Sequence, residues 1–323
     1  MIRFQYLLSI MIATLFLLVL PSHAISQEDK ATTTKSILIT GASTGIGRHL
    51  AEALASEGYH VYAGARKDKD LASLNAIENI TAIRLDVTIQ DEVDAAVDLV
   101  KGKGTGLYAL VNNAGIGGGG LVGTSDIADQ SILFKVNVEG VYRITKAFMP
   151  LIVESEGRIT TTGSIAGTVT RAGMSAYSGS KHWIEAFTDS LAAEMTPQNV
   201  LVSVIEPGNY QSFIRRNSVL RAYEKIEAAG GEITDEMKAS FETTAAYEQS
   251  LKQPDEVTAA FMHALFDPNP LRRYVVTPNQ DEQAFTIGDK IRQLVELNQW
   301  GPHSYSRDQL VEMLDKTIAD KQQ

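Results

Sequence analysis

The run Ser36–Thr40 is short and apolar, and it opens directly into Gly41, Gly45 and Gly47. No other feature of the chain limits the possible folds as strongly. The turn reads Thr40-Gly41-Ala42-Ser43-Thr44-Gly45-Ile46-Gly47 and feeds an amphipathic stretch, Ile46–Glu57. Glycines there let a backbone reverse sharply between a strand and a helix, and let an anion approach without meeting a Cβ. The helix that follows offers free N–H groups and the positive end of its dipole. The spacing is Gly-x-x-x-Gly-x-Gly, not the commoner Gly-x-Gly-x-x-Gly of dinucleotide sites. Alone, the turn suits a structural strand-to-helix connection as well as it suits a phosphate site.

The rest of the chain repeats the strand–helix alternation. Apolar runs predict strands at Ser36–Thr40, His60–Ala65, Thr81–Leu85, Leu107–Val111, Arg158–Thr162, Leu201–Ile205 and Arg273–Val276. Helical periodicity falls at Ile46–Glu57, Gln90–Lys101, Ala128–Glu154, Ser175–Glu194 and Asp255–Leu265. The strands are apolar on both faces, as in a parallel sheet covered by helices on both sides. The pattern predicts an α/β, doubly wound, Rossmann-like parallel sheet of seven strands in one domain, residues 36–278. Within it, residues 209–253 are helix-prone and longer than a crossover requires, a candidate substrate lid. Residues 279–323 form a helical C-terminal extension, with helices at Gln283–Leu297 and Arg307–Ile318.

Composition removes several function classes. The 323 residues carry a formal charge of −10 with no basic stripe, which argues against nucleic-acid binding. The chain has no cysteine, so disulfides, thiol catalysis and thiolate zinc sites are excluded. The histidines His23, His49, His60, His182, His263 and His303 show no metal-ligand spacing.

The first residues stand apart. After Arg3, an uncharged apolar run extends from Phe4 to Leu20, broken by Pro21 and followed by the small residues of Ser22-His23-Ala24. Residues 1–24 fit a secretory signal peptide. The run also reaches the lower limit for a spanning helix, so an uncleaved anchor, with membrane association through residues 4–20, stays open. Either places the folded part in an exported or membrane-anchored setting; a mis-set start would leave it cytoplasmic. Residues 25–35 are polar and suit a linker.

Candidate cofactor contacts cluster behind the strands. In the glycine turn they are Gly41, Ser43, Thr44, Gly45, Ile46 and Gly47. An NAD site ordinarily ends its second strand with an acid that holds the ribose 2′-hydroxyl. Here Ala65 takes that place and Arg66 follows. A guanidinium without a carboxylate favours a 2′-phosphate, so NADP(H) is expected over NAD(H), with Arg48 a possible helper. Asp86 and Val87 follow the third strand, where a carboxylate can accept a hydrogen bond from adenine. Asn113, Ala114 and Gly115 follow the fourth and suit packing beside the ribose. Both segments are also ordinary turn chemistry.

Farther on, Tyr177 and Lys181 stand four residues apart, one helical turn on the same face, with Ser164 just after the fifth strand. A tyrosine of ordinary pKa near 10 needs its anion stabilised to exchange protons near neutrality, and a lysine at i+4 supplies positive charge. A serine hydroxyl can fix the substrate oxygen against the phenol, giving general acid–base chemistry.

The glycine turn, Asn112-Asn113-Ala114-Gly115, Ser164 and Tyr177-x-x-x-Lys181 occur in the order of the short-chain dehydrogenase/reductase family, and residues 35–276 resemble its compact single-domain branch. The resemblance implies Tyr177 as acid/base, Lys181 as the residue that lowers its pKa and binds the nicotinamide ribose, and Ser164 as the residue that orients substrate. It implies that Asn137 holds a proton-relay water, and that Pro207 and Gly208 flank the nicotinamide. Ser212 stands where the family usually has threonine and keeps the hydroxyl. Homodimers or homotetramers through the helices carrying Asn137 and Tyr177 are implied too. The expected activity is NADP(H)-dependent interconversion of an alcohol and a carbonyl on a small lipophilic substrate. The alternatives are a catalytically weak NADP(H)-binding redox sensor and a sugar-nucleotide enzyme of the longer branch. The first is disfavoured by retention of Tyr177 and Lys181, the second by the glycine spacing.

Overall fold

A computed structural model describes residues 35–321. The apolar segment 4–20 and the leader expected at 1–24 lie outside the described residues, as does most of the linker. Among the described residues no helix is long and apolar enough to cross a membrane.

The strands are β1 (Ser36–Ile39), β2 (His60–Ala65), β3 (Ile80–Arg84), β4 (Ala109–Asn112), β5 (Arg158–Thr162), β6 (Leu201–Pro207) and β7 (Arg273–Val276). They form one sheet in the order β3-β2-β1-β4-β5-β6-β7, and every pairing is parallel. The order reverses between β1 and β4, and ligands of open α/β sheets lie at such a switch point, outside the carboxyl ends of the strands. Central strands are buried on both faces; all four residues of β1 are inaccessible.

The helices are α1 (Gly45–Ser56), α2 (Asp68–Asn75), α3 (Gln90–Lys103), α4 (Ile127–Phe134), α5 (Val141–Glu154), α6 (Ser175–Met195), α7 (Ile214–Ala228), α8 (Asp235–Ser250), α9 (Asp255–Phe266), α10 (Gln280–Asn298) and α11 (Arg307–Lys321). On one face of the sheet Leu38, Tyr62 and Leu110 pack with Phe148 and Ile152 of α5 and Leu191 of α6. On the other, Ile37 and Ile39 pack with Leu50 and Leu54 of α1 and Phe261 of α9.

Two features depart from the sequence pattern. The short α2 was not expected; its acidic first turn receives Arg84, which bonds Asp68. The single helix expected over Ala128–Glu154 is α4, a π-helical turn at Lys135–Gly140, and α5. The wider turn carries the buried Asn137 and Gly140. The lid candidate is the pair α7 and α8, held by a tilted Tyr223–Phe241 contact.

Candidate active site

The glycine turn folds as its residue types require. Gly41 and Gly45 have φ of 65° and 59°, a region that disfavours residues with a Cβ. A Cβ on Gly41 would stand 2.8 Å from the Ala114 Cα, so the turn and the β4 loop touch backbone to backbone. Thr40 ties them together: its Oγ1 accepts from the Asn113 and Ala114 N–H groups at 3.0 and 2.9 Å. The Asn113 amide donates to the carbonyls of Thr40 and Gly41, both at 3.0 Å. Thr44 precedes α1 in extended conformation without capping it through its side chain. Ser43, Thr44 and Ile46 are half-buried around the same helix end, and the first-turn N–H groups of a helix have no partner within it. These features fit a dinucleotide's phosphates.

At the end of β2, Ala65 is buried and Arg66 is exposed. Arg66 donates to Asp86 Oδ2 at 3.4 Å, while Asp86 Oδ1 accepts from the Thr88 N–H and hydroxyl at 2.9 and 2.7 Å. Burial works against this carboxylate, but Thr88 and Arg66 outweigh it and hold the carboxyl below its ordinary range. Val87 is buried against Gly140, and its carbonyl accepts from Arg143 at 2.7 Å. Gly115 is exposed beside Asn137. Arg48 pairs with Glu52 at 2.6 Å and bonds Ser73 at 3.0 Å. An i, i+4 carboxylate on its own helix claims it.

At the ends of β5 and β6, Ser164, Tyr177 and Lys181 converge. The Ser164 hydroxyl is close enough to the Tyr177 phenol to favour its anion. It also accepts from the Ala166 N–H at 3.1 Å and approaches the Pro207 carbonyl at 3.5 Å. Lys181 is buried, its Nζ 2.7 Å from the Thr162 carbonyl and 5.9 Å from the centre of the Tyr177 ring. Burial pulls this ammonium down to about 8, against the opposing charge of Glu185. The phenol departs from expectation. Burial pushes Tyr177 up, opposed by the Ser164 hydrogen bond and by the charge of Arg215. The Lys181 ammonium donates to the Thr162 carbonyl, and it is not among the groups that oppose the rise of the phenol.

Asn137 faces the loop after β4. Its Oδ1 accepts from the Ile116 N–H at 2.8 Å, and its Nδ2 donates to the Ile116 carbonyl at 3.0 Å and to Ser180 at 3.1 Å. The π-turn thus ties this loop to α6, the helix of Tyr177. Gly208 lies so close to Glu282 of α10 that a Cβ would stand 2.9 Å from the carboxylate, which also accepts from the Asn209 N–H at 3.0 Å. Ser212 rests on Gly45, at 3.5 Å from where its Cβ would be.

Several contributors were missed from the sequence. Thr162 bridges the two ends of the site, offering its carbonyl to Lys181 and its hydroxyl to Asn113 Oδ1 at 3.2 Å. Glu206, just before Pro207, is buried with its carboxyl pushed up to about 7 by burial and by Glu185. The charge of Arg215, in α7, acts on the phenol. Thr162 and Glu206 flank motif residues, which is the one signal that was available. Among the described residues no group of histidines and carboxylates can hold a metal.

Comparison with known proteins agrees with this geometry. The family profile described as short chain dehydrogenase matches residues 35–223. The bovine (Bos taurus) mitochondrial D-beta-hydroxybutyrate dehydrogenase is 36% identical over 213 residues, covering 63% of this chain and 61% of that protein. The chain therefore spans about three fifths of that relative's length. The uncharacterized oxidoreductase YbbO of Escherichia coli (strain K12) is 32% identical over 246 residues, 75% of this chain and 86% of that one. A crystal structure of a short-chain dehydrogenase from Streptomyces avermitilis superposes with a TM-score of 0.67 at 28% identity, covering 83% of this chain and 96% of that one. With the parallel sheet and the profile over more than half its length, the chain belongs to the short-chain dehydrogenase family, a family of oxidoreductases.

Proposed function

We propose that the protein is an NADP(H)-dependent oxidoreductase that interconverts an alcohol and a carbonyl, with Tyr177 as acid/base. The observation that carries this is the convergence of the Tyr177 phenol, the Ser164 hydroxyl and the buried Lys181 ammonium beside the glycine turn. The bovine relative is named for a reaction at the hydroxyl of a small acid, which agrees with a CH–OH substrate.

Gly41, Ser43, Thr44, Gly45, Ile46 and Gly47 would hold the pyrophosphate. Asp86, Val87, Asn113, Ala114 and Gly115 would surround the adenosine, and Tyr177, Lys181, Pro207, Gly208 and Ser212 the nicotinamide half. Arg66 would meet a 2′-phosphate, exchanging a long contact to Asp86 for a dianion. When bound, the dinucleotide would supply the hydride donor or acceptor, and in its oxidised form a further positive charge near the phenol. Ser164 donates to the substrate oxygen. In reduction the Tyr177 phenol gives that oxygen a proton; in oxidation the phenolate takes one. Lys181 would help hold the nicotinamide ribose, and its charge would stabilise the phenolate. Asn137 keeps the β4 loop and α6 in register, and its π-turn is the place for a relay water. The exposed Tyr142 on α5, beside Trp183 of α6, suits self-association through these two helices.

Oxidation of NADPH and NADH is measured with the full chain and a panel of aliphatic, aromatic and steroid ketones and aldehydes, with Tyr177→Phe alongside. NADPH is consumed in preference, and the variant loses about 100- to 10,000-fold in kcat. Binding of NADPH without turnover of any carbonyl would refute the enzyme reading in favour of a redox sensor.

A further inference from the structure

We propose that Arg215 is the anchor for a carboxylate on the substrate, so that the protein acts on hydroxy acids and their keto counterparts. This rests on the oxidoreductase reading above and names the substrate class of that same site.

Arg215 lies in the first turn of α7, the lid helix. Its backbone N–H is held by Glu248 of α8, a fully buried carboxylate, at 2.8 Å. Its guanidinium donates to Asn209 Oδ1 at 2.5 Å and lies over the Tyr247 ring, 5.3 Å from its centre. Asn209 directly follows Pro207-Gly208, whose Pro207 carbonyl faces Ser164. The path from the serine that would hold the reacting oxygen to this guanidinium is therefore a few residues of backbone, pinned at Asn209 by Glu282. The guanidinium is also near enough to act on the charge of the Tyr177 phenol.

The neighbouring arginine is arranged differently. Arg216 pairs with Glu248 and stacks on Phe213 at 3.9 Å, a structural use. Arg215 has no carboxylate within ion-pair distance among the described residues; its acceptor is a neutral amide. In a chain of formal charge −10, a half-buried cation without a counter-ion beside the reacting groups is unexpected unless an anion arrives with the substrate. A guanidinium binds a carboxylate through two parallel N–H donors, and orients the carbon skeleton as it does so.

The test compares 3-oxobutanoate and 3-oxooctanoate with the corresponding amides, using the full chain and whichever of NADPH and NADH it oxidises. The amides match the acids in shape and lack the charge. The wild type prefers acid over amide by about 10- to 100-fold in kcat/KM, the value of one charge-assisted pair. Arg215→Gln brings that ratio close to one, chiefly through KM for the acid, and Arg215→Lys restores part of it. In the presence of NADP+, the acid but not the amide raises the melting temperature of the wild type, and Arg215→Gln removes the difference. Equal use of acid and amide by the wild type overturns the proposal, as does a variant that loses both alike. A rise in KM for the dinucleotide instead of the acid would assign the guanidinium to the cofactor's phosphates and overturn it too. Turnover of neutral ketones without any acid refutes Arg215 alone; no turnover of any carbonyl refutes the oxidoreductase reading beneath it.

Discussion

Replacement of Glu206 by glutamine tests the electrostatics underneath the site. Glu206 lies near the end of β6, immediately before Pro207-Gly208, and is 1% exposed. Its Oε2 receives a long hydrogen bond from Thr168, at 3.4 Å. Glu185 raises its pKa, and the Glu185 Oε1 is itself buried without a partner. The Glu206 carboxyl is pushed from 4.5 to about 7. Between those values the folded protein holds a proton that the unfolded chain has released, so stability is fullest below 4.5 and is lost as pH rises through 7. From pH 5 to pH 8 the two values correspond to a loss on the order of 2 kcal/mol. Glu206→Gln mimics the protonated form at every pH. Chemical denaturation of wild type and variant should give similar stabilities at pH 5 and a variant more stable by about 2 kcal/mol at pH 8. Taking the difference between proteins cancels the titration of groups away from the pair. A difference that stays constant from pH 5 to pH 8, or a variant less stable at pH 8, would refute the assignment of a proton to this carboxyl.

Two other substitutions probe how the site is held. Thr40→Val keeps the shape but removes the acceptor of the Asn113 and Ala114 N–H groups, and should cost about 2 kcal/mol in denaturant melts, with weaker dinucleotide binding by titration. Glu248→Gln removes the charge that receives the Arg215 and Arg216 N–H groups at the start of α7. It should destabilise the lid by about 1 kcal/mol and speed tryptic cleavage at Arg215, Arg216 and Arg221 several-fold, while the melting midpoint of the body moves little.

What the sequence made legible, and what it hid, divides by the range of the interaction. The seven strands and the glycine turn are written in local patterns: apolar runs, and glycines where φ is positive. Tyr177 and Lys181 share a helix face by spacing alone, and Ser164 lies at a strand end where ligands meet such sheets. The π-turn at Lys135–Gly140 has no local signature, because it is set by the bonds of Asn137 to Ile116 and Ser180, partners 21 and 43 positions away. The same holds for the lid. Arg215 and Arg216 are identical in type and adjacent, and only Glu248, 33 positions beyond Arg215, separates a guanidinium paired with a carboxylate from one left on the neutral amide of Asn209. Arg48 shows the converse case: a nearby carboxylate, Glu52, pairs with it one helical turn on. Motif position therefore locates the candidate site, but the charge state and direction of each group depend on buried partners that come later in the chain. This is why the tyrosine, whose pKa Lys181 was expected to lower, is driven the other way by burial.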